Sequence, residues 1–352
     1  MMTDRDDTPG LTLLREGTAI PAHPLALDAN RALDERRQRA LSRYYIDAGA
    51  GGLAVGVHTT QFRIRQAGLY DRVLEIAAET ARHWTDRPLA MVAGLAGDTG
   101  QAASEARTAV SLGYDAGLLS LAAVSAYTAD KMIEHCTKIA AQIPLIGFYL
   151  QPAVGGVHLD ADFWARFCAL PNVIAIKVAP FNRYRTLDVV RGLVEAGAEE
   201  RITLYTGNDD HIILDLLLPF QMTREGRPAT VRFKGGLLGH WSVWTQTAME
   251  LYRQCRAAAV AGEITPELLA LDSRVTECNA AFFDVENDFA GCIAGCHEVL
   301  RRQGLLEGLW CLDPQEGLGP GQDQRIDRVL RDHPDLADDA FVSANLGRWL
   351  EA

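Results

Sequence analysis

The chain has 352 residues, 48% of them hydrophobic and 23% charged, with a formal net charge of −12 at pH 7. That composition belongs to a globular protein with ample core, and the acidic balance excludes a surface built to bind the phosphates of nucleic acid or an anionic membrane, which has to be basic. No apolar run approaches the roughly 20 residues that span a bilayer, and Met1 to Thr8 lacks an apolar export core, so a cytoplasmic location is expected.

Residues 1–10 are polar and read as a loose leader, and Leu13 to Leu27 as an irregular extended segment broken at Pro21 and Pro24. From there, helical and strand-like stretches alternate. Asp28 to Ala48 is helical with a charged face, and Gly51 to Val57 is a strand opening into His58-Thr-Thr-Gln61. Tyr70 to Thr85, Gln101 to Gly113, Thr128 to Gln142, Asp160 to Leu170, Thr186 to Ala196 and His211 to Leu218 read as helices. Between them lie strands at Leu89 to Ala93, Ala116 to Ser120, Pro144 to Leu150, Pro171 to Pro180 and Arg201 to Thr206. A last strand falls near Thr230 to Phe233, its loop carrying Gly235-Gly236.

Counting the first extended piece, about eight strand–helix cycles with short connections predict an α/β fold, a (β/α)8 TIM barrel over residues 11–242. An open doubly wound sheet is the alternative, but it calls for a Gly-rich turn after its first strand, whereas Gly49-Ala-Gly-Gly52 precedes that strand. Beyond Val243 the strand signal ends. Val243 to Ala261, Pro266 to Phe282, Asp288 to Gln303 and Gln324 to Asp332 read as helices, a C-terminal helical extension over 243–352.

In a parallel barrel the chemistry lies where strands end. Those positions hold His58, Thr59 and Thr60, then Tyr149, Lys177, Gly207-Asn208-Asp-Asp210 and Gly236, with His240 and Trp241 just beyond. Lys177 closes a Val- and Ile-rich run that reads as a strand buried on both faces. Burial lowers an amine's pKa and makes it a nucleophile for a carbonyl carbon; the alternative is a strand-end lysine that reaches water or a carboxylate. An amine, a phenol to shuttle protons and hydroxyl or backbone donors for a carboxylate suffice for imine chemistry on a 2-keto acid. Each has a plainer role open to it. Tyr149 can satisfy a buried neighbour, Thr59 and Thr60 can cap a helix, His58 can be a structural donor, and His240 can be packing.

The seven cysteines are scattered. Cys292-x-x-x-Cys296-His297 could place two sulfurs on one helix face, but without a second ligand cluster it reads as core, and no metal site is expected.

In these motifs the chain resembles the dihydrodipicolinate synthase and N-acetylneuraminate lyase family. Val173-Ile-Ala-Ile-Lys177 is similar to its lysine strand, Tyr149-Leu-Gln-Pro152 to its Tyr-x-x-Pro, and Thr206-Gly-Asn-Asp209 to its Gly-Asp-like turn; Asn279, Phe283 and Asn287 resemble its C-terminal segment. The resemblance implies a Schiff-base lyase or aldolase in which Lys177 condenses with pyruvate or a related 2-keto acid. Tyr149 would shuttle protons, and Thr59 and Thr60 would hold the carboxylate. It also implies a homotetramer, a dimer of dimers, with no metal or organic cofactor.

Departures are as informative. His58-Thr-Thr-Gln-Phe62 stands where the family has Gly-Thr-Thr-Gly-Glu, Ala153-Val-Gly-Gly156 lacks the synthase's arginine, and Leu121-Ala-Ala-Val124 lacks its relay tyrosine. The missing arginine argues against the synthase reaction and, together with the His240-Trp241 loop, for a less anionic, or larger, second substrate. A sugar-acid dehydratase using the same lysine and a catalytically silent keto-acid binder are the alternatives.

Overall fold

The computed structural model describes residues 8–351. Helix α1 (Pro9–Glu16) leads into β1 (Ala19–Pro21), followed by α2 (Glu35–Asp47), β2 (Gly52–Val55), α3 (Tyr70–Trp84) and β3 (Ala90–Leu95). The alternation runs on through α4 (Thr99–Ser111), β4 (Ala116–Leu119), α5 (Ala129–Ala140), β5 (Leu145–Leu150), α6 (Ala161–Cys168) and β6 (Val173–Ala179). After α7 (Arg183–Glu195), β7 (Thr203–Thr206) and α8 (Ile212–Leu217) come β8 (Phe220–Arg224), β9 (Arg227–Val231) and β10 (Phe233–Leu238). Helices α9 (Thr245–Ala261), α10 (Pro266–Phe282), α11 (Cys292–Arg302), α12 (Gln322–Asp332) and α13 (Asp339–Trp349) complete the chain.

Eight strands pair in parallel in the order β1, β10, β7, β6, β5, β4, β3, β2. A parallel bridge between Ala22 and Ala54, with the His23 N–H donating to the Ala54 carbonyl at 2.8 Å, joins the two ends. The chain is thus a (β/α)8 barrel followed by a helical extension. Its strands are buried on both faces, and for that reason they read as continuous apolar runs rather than alternating ones.

Two departures from the sequence reading have clear causes. Of the leader expected over residues 1–10, residues 1–7 lie outside the described residues, while Pro9 and Gly10 open α1. Thr8 caps that helix by accepting from the Leu11 N–H at 3.1 Å, and proline is favoured at a first helical position, so Pro9-Gly10 is a start and not a break. Leu11 and Leu14 pack with Ile20, Val92 and Ile146 inside the barrel, filling its N-terminal end. At the other departure, β8 and β9 form an antiparallel hairpin outside the barrel sheet, and the eighth barrel strand is β10. Gly235 and Gly236 therefore lie within a strand and not in the loop after it.

Candidate active site at the barrel mouth

At the C-terminal ends of the strands lies a small cavity, about 40 Å³ by the volume open to the centres of water molecules. Its polar lining residues are His58, Thr59, Gln151, Lys177 and Asp209; the rest of the lining is largely apolar, with Phe148, Phe181 and Phe283 the aromatic members. Cys292, the first residue of α11, also reaches it, so the extension helps to close the site.

Lys177 is 6% exposed and points into the barrel. Its Nζ lies 4.5 Å from the ring centre of Phe148, its register partner on β5. Burial pushes the lysine below its usual value, opposed by the charge of Asp209. Burial likewise pushes the Asp209 carboxyl up, opposed by the His240 N–H and by Lys177. Asp209 is anchored through Oδ1, which accepts from the His240 backbone N–H at 2.9 Å. Gly207 lets this loop approach the lysine, for a Cβ there would stand 2.7 Å from Lys177 Cε.

Tyr149 is not in this cavity. Phe148 and Leu150 line it, and side chains alternate along a strand, so the tyrosine between them faces outward. Its ring packs 5.4 Å from that of Trp164 on α6, and its hydroxyl accepts from the Leu159 N–H at 3.3 Å. The expected phenol at the lysine is thereby corrected to the Phe148 ring, which carries no proton to transfer.

The threonine turn divides. Thr59 lines the cavity, whereas Thr60 is fully buried, its hydroxyl donating to the His23 carbonyl at 2.6 Å and accepting from the Gly56 N–H at 3.0 Å. That hydroxyl is committed to backbone and is not free for a carboxylate. His58 stands at the cavity, pushed down to about 4 by burial and then by the Lys177 charge, so it is neutral near pH 7.

Three more expected contacts prove to be scaffold. Asn208 turns away and accepts from the Phe181 N–H at 3.2 Å while donating to Asp215 at 2.9 Å. It thereby holds Phe181, whose backbone is left-handed at φ 48°, a conformation costly for a bulky residue, against the cavity. A Cβ on Gly236 would meet Trp241 at 2.5 Å, on the outer face of β10, and the glycine of this segment that lines the cavity is Gly239. The His240 ring packs 5.6 Å from Phe282 among the helices, and only its backbone reaches Asp209.

Cys292, like Phe148 and Phe181, is a cavity residue that the motif reading missed. Helical spacing to Cys296 was its one sequence signal, and nothing local says that α11 begins at the barrel mouth. Among the described residues no group of three His, Cys, Asp or Glu side chains is placed to hold a metal ion.

The model of the dihydrodipicolinate synthetase family matches residues 17–220, more than half of the chain. The chain belongs to this family. Among curated relatives it is 25% identical to the 4-hydroxy-tetrahydrodipicolinate synthase of Halorhodospira halophila over 256 residues, covering 72% of this chain and 76% of that one. It is 27% identical to the N-acetylneuraminate lyase of Citrobacter koseri over 205 residues, 56% of this chain and 64% of that one. Of solved structures, CdNal from Clostridium difficile in complex with mannosamine superimposes with a TM-score of 0.72 at 16% identity, over 90% of this chain and 98% of that one. Dihydrodipicolinate synthase from Aquifex aeolicus superimposes with the same TM-score, 0.72, at 18% identity, over 92% and 99% of the two chains.

Proposed function

We propose that the chain is a Schiff-base-forming lyase or aldolase that takes pyruvate or a related 2-keto acid on Lys177. The observation that carries this reading is a buried lysine near the end of a barrel strand, held below its usual pKa and aimed into the cavity at the barrel mouth. Its attack on the keto carbon yields an imine, which accepts the electron pair released when an adjacent carbon–carbon bond breaks or when a proton leaves the neighbouring carbon. Thr59 and His58 are the polar groups available beside the lysine for the carboxylate and keto oxygen.

The second substrate is expected to be less anionic, or larger, than a short aldehyde acid. Among the described residues no arginine lines the cavity, so the reaction is not expected to be that of a dihydrodipicolinate synthase, and the apolar walls disfavour a polyhydroxylated substrate for dehydration. The position of Tyr149 favours one second reading, a family member that binds a keto acid without turning it over. A homotetramer in the cytoplasm is part of the proposal; among the described residues no helix is long and apolar enough to cross a membrane.

Borohydride reduction of the protein with pyruvate, followed by peptide mass analysis, tests the assignment. The reading requires a reduced pyruvyl adduct on the peptide carrying Lys177 and none in Lys177→Ala. Loss of carbon–carbon cleavage or condensation in that variant, with its fold intact, separates an enzyme from a silent binder.

A further inference from the structure

We propose that Asp209, and not Tyr149, moves the protons of imine formation at Lys177. This rests on the Schiff-base reading above. Any amine that condenses with a ketone must first lose a proton and later see one delivered to the departing oxygen, so the cavity needs a group that both accepts and returns a proton. The titratable side chains lining it are Lys177 itself, His58, Asp209 and Cys292. His58, held near 4, is too weak a base to keep a proton taken from an amine, and burial pushes the Cys292 thiol well up, away from any exchange at neutral pH.

Asp209 differs in placement. It sits two residues after Gly207, whose backbone lies against the lysine stem, and it lines the same cavity, 4% exposed, with Oδ1 pinned by the His240 N–H. Burial raises the proton affinity of the carboxylate and lowers that of the amine, so the two converge, and a proton relayed across the cavity by one water passes between them at small cost. Asp210 on the same loop raises Asp209 further; His58 and Cys292, the other titratable groups facing the cavity, carry no charge at neutral pH.

The steps balance. The Lys177 ammonium gives a proton to the Asp209 carboxylate, and the freed nitrogen pair attacks the keto carbon while the carbonyl π pair moves to oxygen. A proton shifts from nitrogen to that oxygen, giving a neutral carbinolamine. The Asp209 acid protonates the hydroxyl, water departs, and the nitrogen pair closes the C=N bond as an iminium. One ammonium and one ketone become one iminium and one water, and Asp209 ends as it began.

The test is the rate of borohydride-trapped adduct formation with pyruvate, measured from pH 6 to 10 for the wild type, Asp209→Asn, Asp209→Ser and Tyr149→Phe. Asn and Ser both keep an oxygen to accept from the His240 N–H, so whichever of them folds carries the comparison. Expected are a slowing of about 100-fold near pH 7 in the Asp209 variants, a deficit that shrinks as pH rises and solvent base strips the lysine, and a rate within about threefold of wild type for Tyr149→Phe. An Asp209 variant that traps at the wild-type rate, a deficit equal at every pH, or loss of trapping in Tyr149→Phe overturns the proposal. Absence of any adduct in the wild type, with pyruvate or 2-oxobutyrate, is a different failure: it overturns the Schiff-base reading, and this inference falls with it.

Discussion

Lys177 and Phe148 face each other across β6 and β5, the ammonium nitrogen 4.5 Å from the ring centre, so the charged form of the lysine rests on an aromatic face as well as in the field of the Asp209 carboxylate. A cation–π contact of this kind is worth about 0.5–2 kcal/mol and favours the protonated amine, while burial, the larger influence, favours the neutral one.

The first prediction is a pH profile. A lysine of depressed pKa is neutral above that value, so adduct formation with pyruvate rises with pH and levels off well before the ordinary lysine value of about 10.4. Phe148→Leu removes support for the ammonium and moves the midpoint further down, by about 0.4–1.5 pH units. A midpoint that rises in Phe148→Leu contradicts the contact.

Gly207→Ala is expected to cripple adduct formation while sparing the fold. The added Cβ would stand 2.7 Å from Lys177 Cε and 2.8 Å from the Ala179 Cβ, so the lysine stem has to move. A displacement of this order costs about 100-fold in rate, readable as slowed trapping with little change in the urea unfolding midpoint.

Arg65 forms the joint beneath the His58 turn. Its guanidinium pairs with both Glu105 oxygens at 2.9 Å and donates to the carbonyls of Gly94 at 2.9 Å and Gly56 at 3.2 Å, with both side chains nearly buried. Arg65→Ala strands a buried carboxylate, and removal of one partner of such a pair costs about 3–5 kcal/mol. Chemical denaturation of the variant reads this directly; a loss below about 1 kcal/mol is the contrary result.

His23 ties acid stability to the same turn, since its carbonyl accepts from the Thr60 hydroxyl. Burial lowers its folded value from 6.5 to about 4. The unfolded chain therefore binds the proton first as pH falls, and this group's contribution to stability is present above 6.5, is lost between 6.5 and about 4, and is unchanging below. The wild type should lose more unfolding free energy between pH 7 and pH 5 than His23→Gln does, measured by urea denaturation at each pH.

The barrel was legible because its strands and helices differ in length, punctuation and period. Lys177 was legible because an ammonium at the end of a doubly buried strand needs a reason. Less legible was the eighth strand: Gly235-Gly236 reads as a loop, yet on β10 those glycines make room for Tyr205 and Trp241, partners known only once the sheet is closed.

Chain order and side-chain chemistry alone determined the barrel, its helical appendage and the lysine at its mouth, since each rests on local pattern. Which face of β5 turns inward was decided only by the tertiary structure. Phe148 and Tyr149 are both buried and both aromatic, so a strand covered on two sides carries no alternation to tell them apart, and a one-residue difference in facing exchanges every side chain. The choice falls to contacts far off in sequence: Gly147 leaves space for Phe167 and Trp164 outside, and Phe148 fills the space beside Lys177 inside. By the same logic Asp209 and Cys292 meet at one cavity because the barrel closes and α11 folds back over it, and no local signal encodes such a meeting.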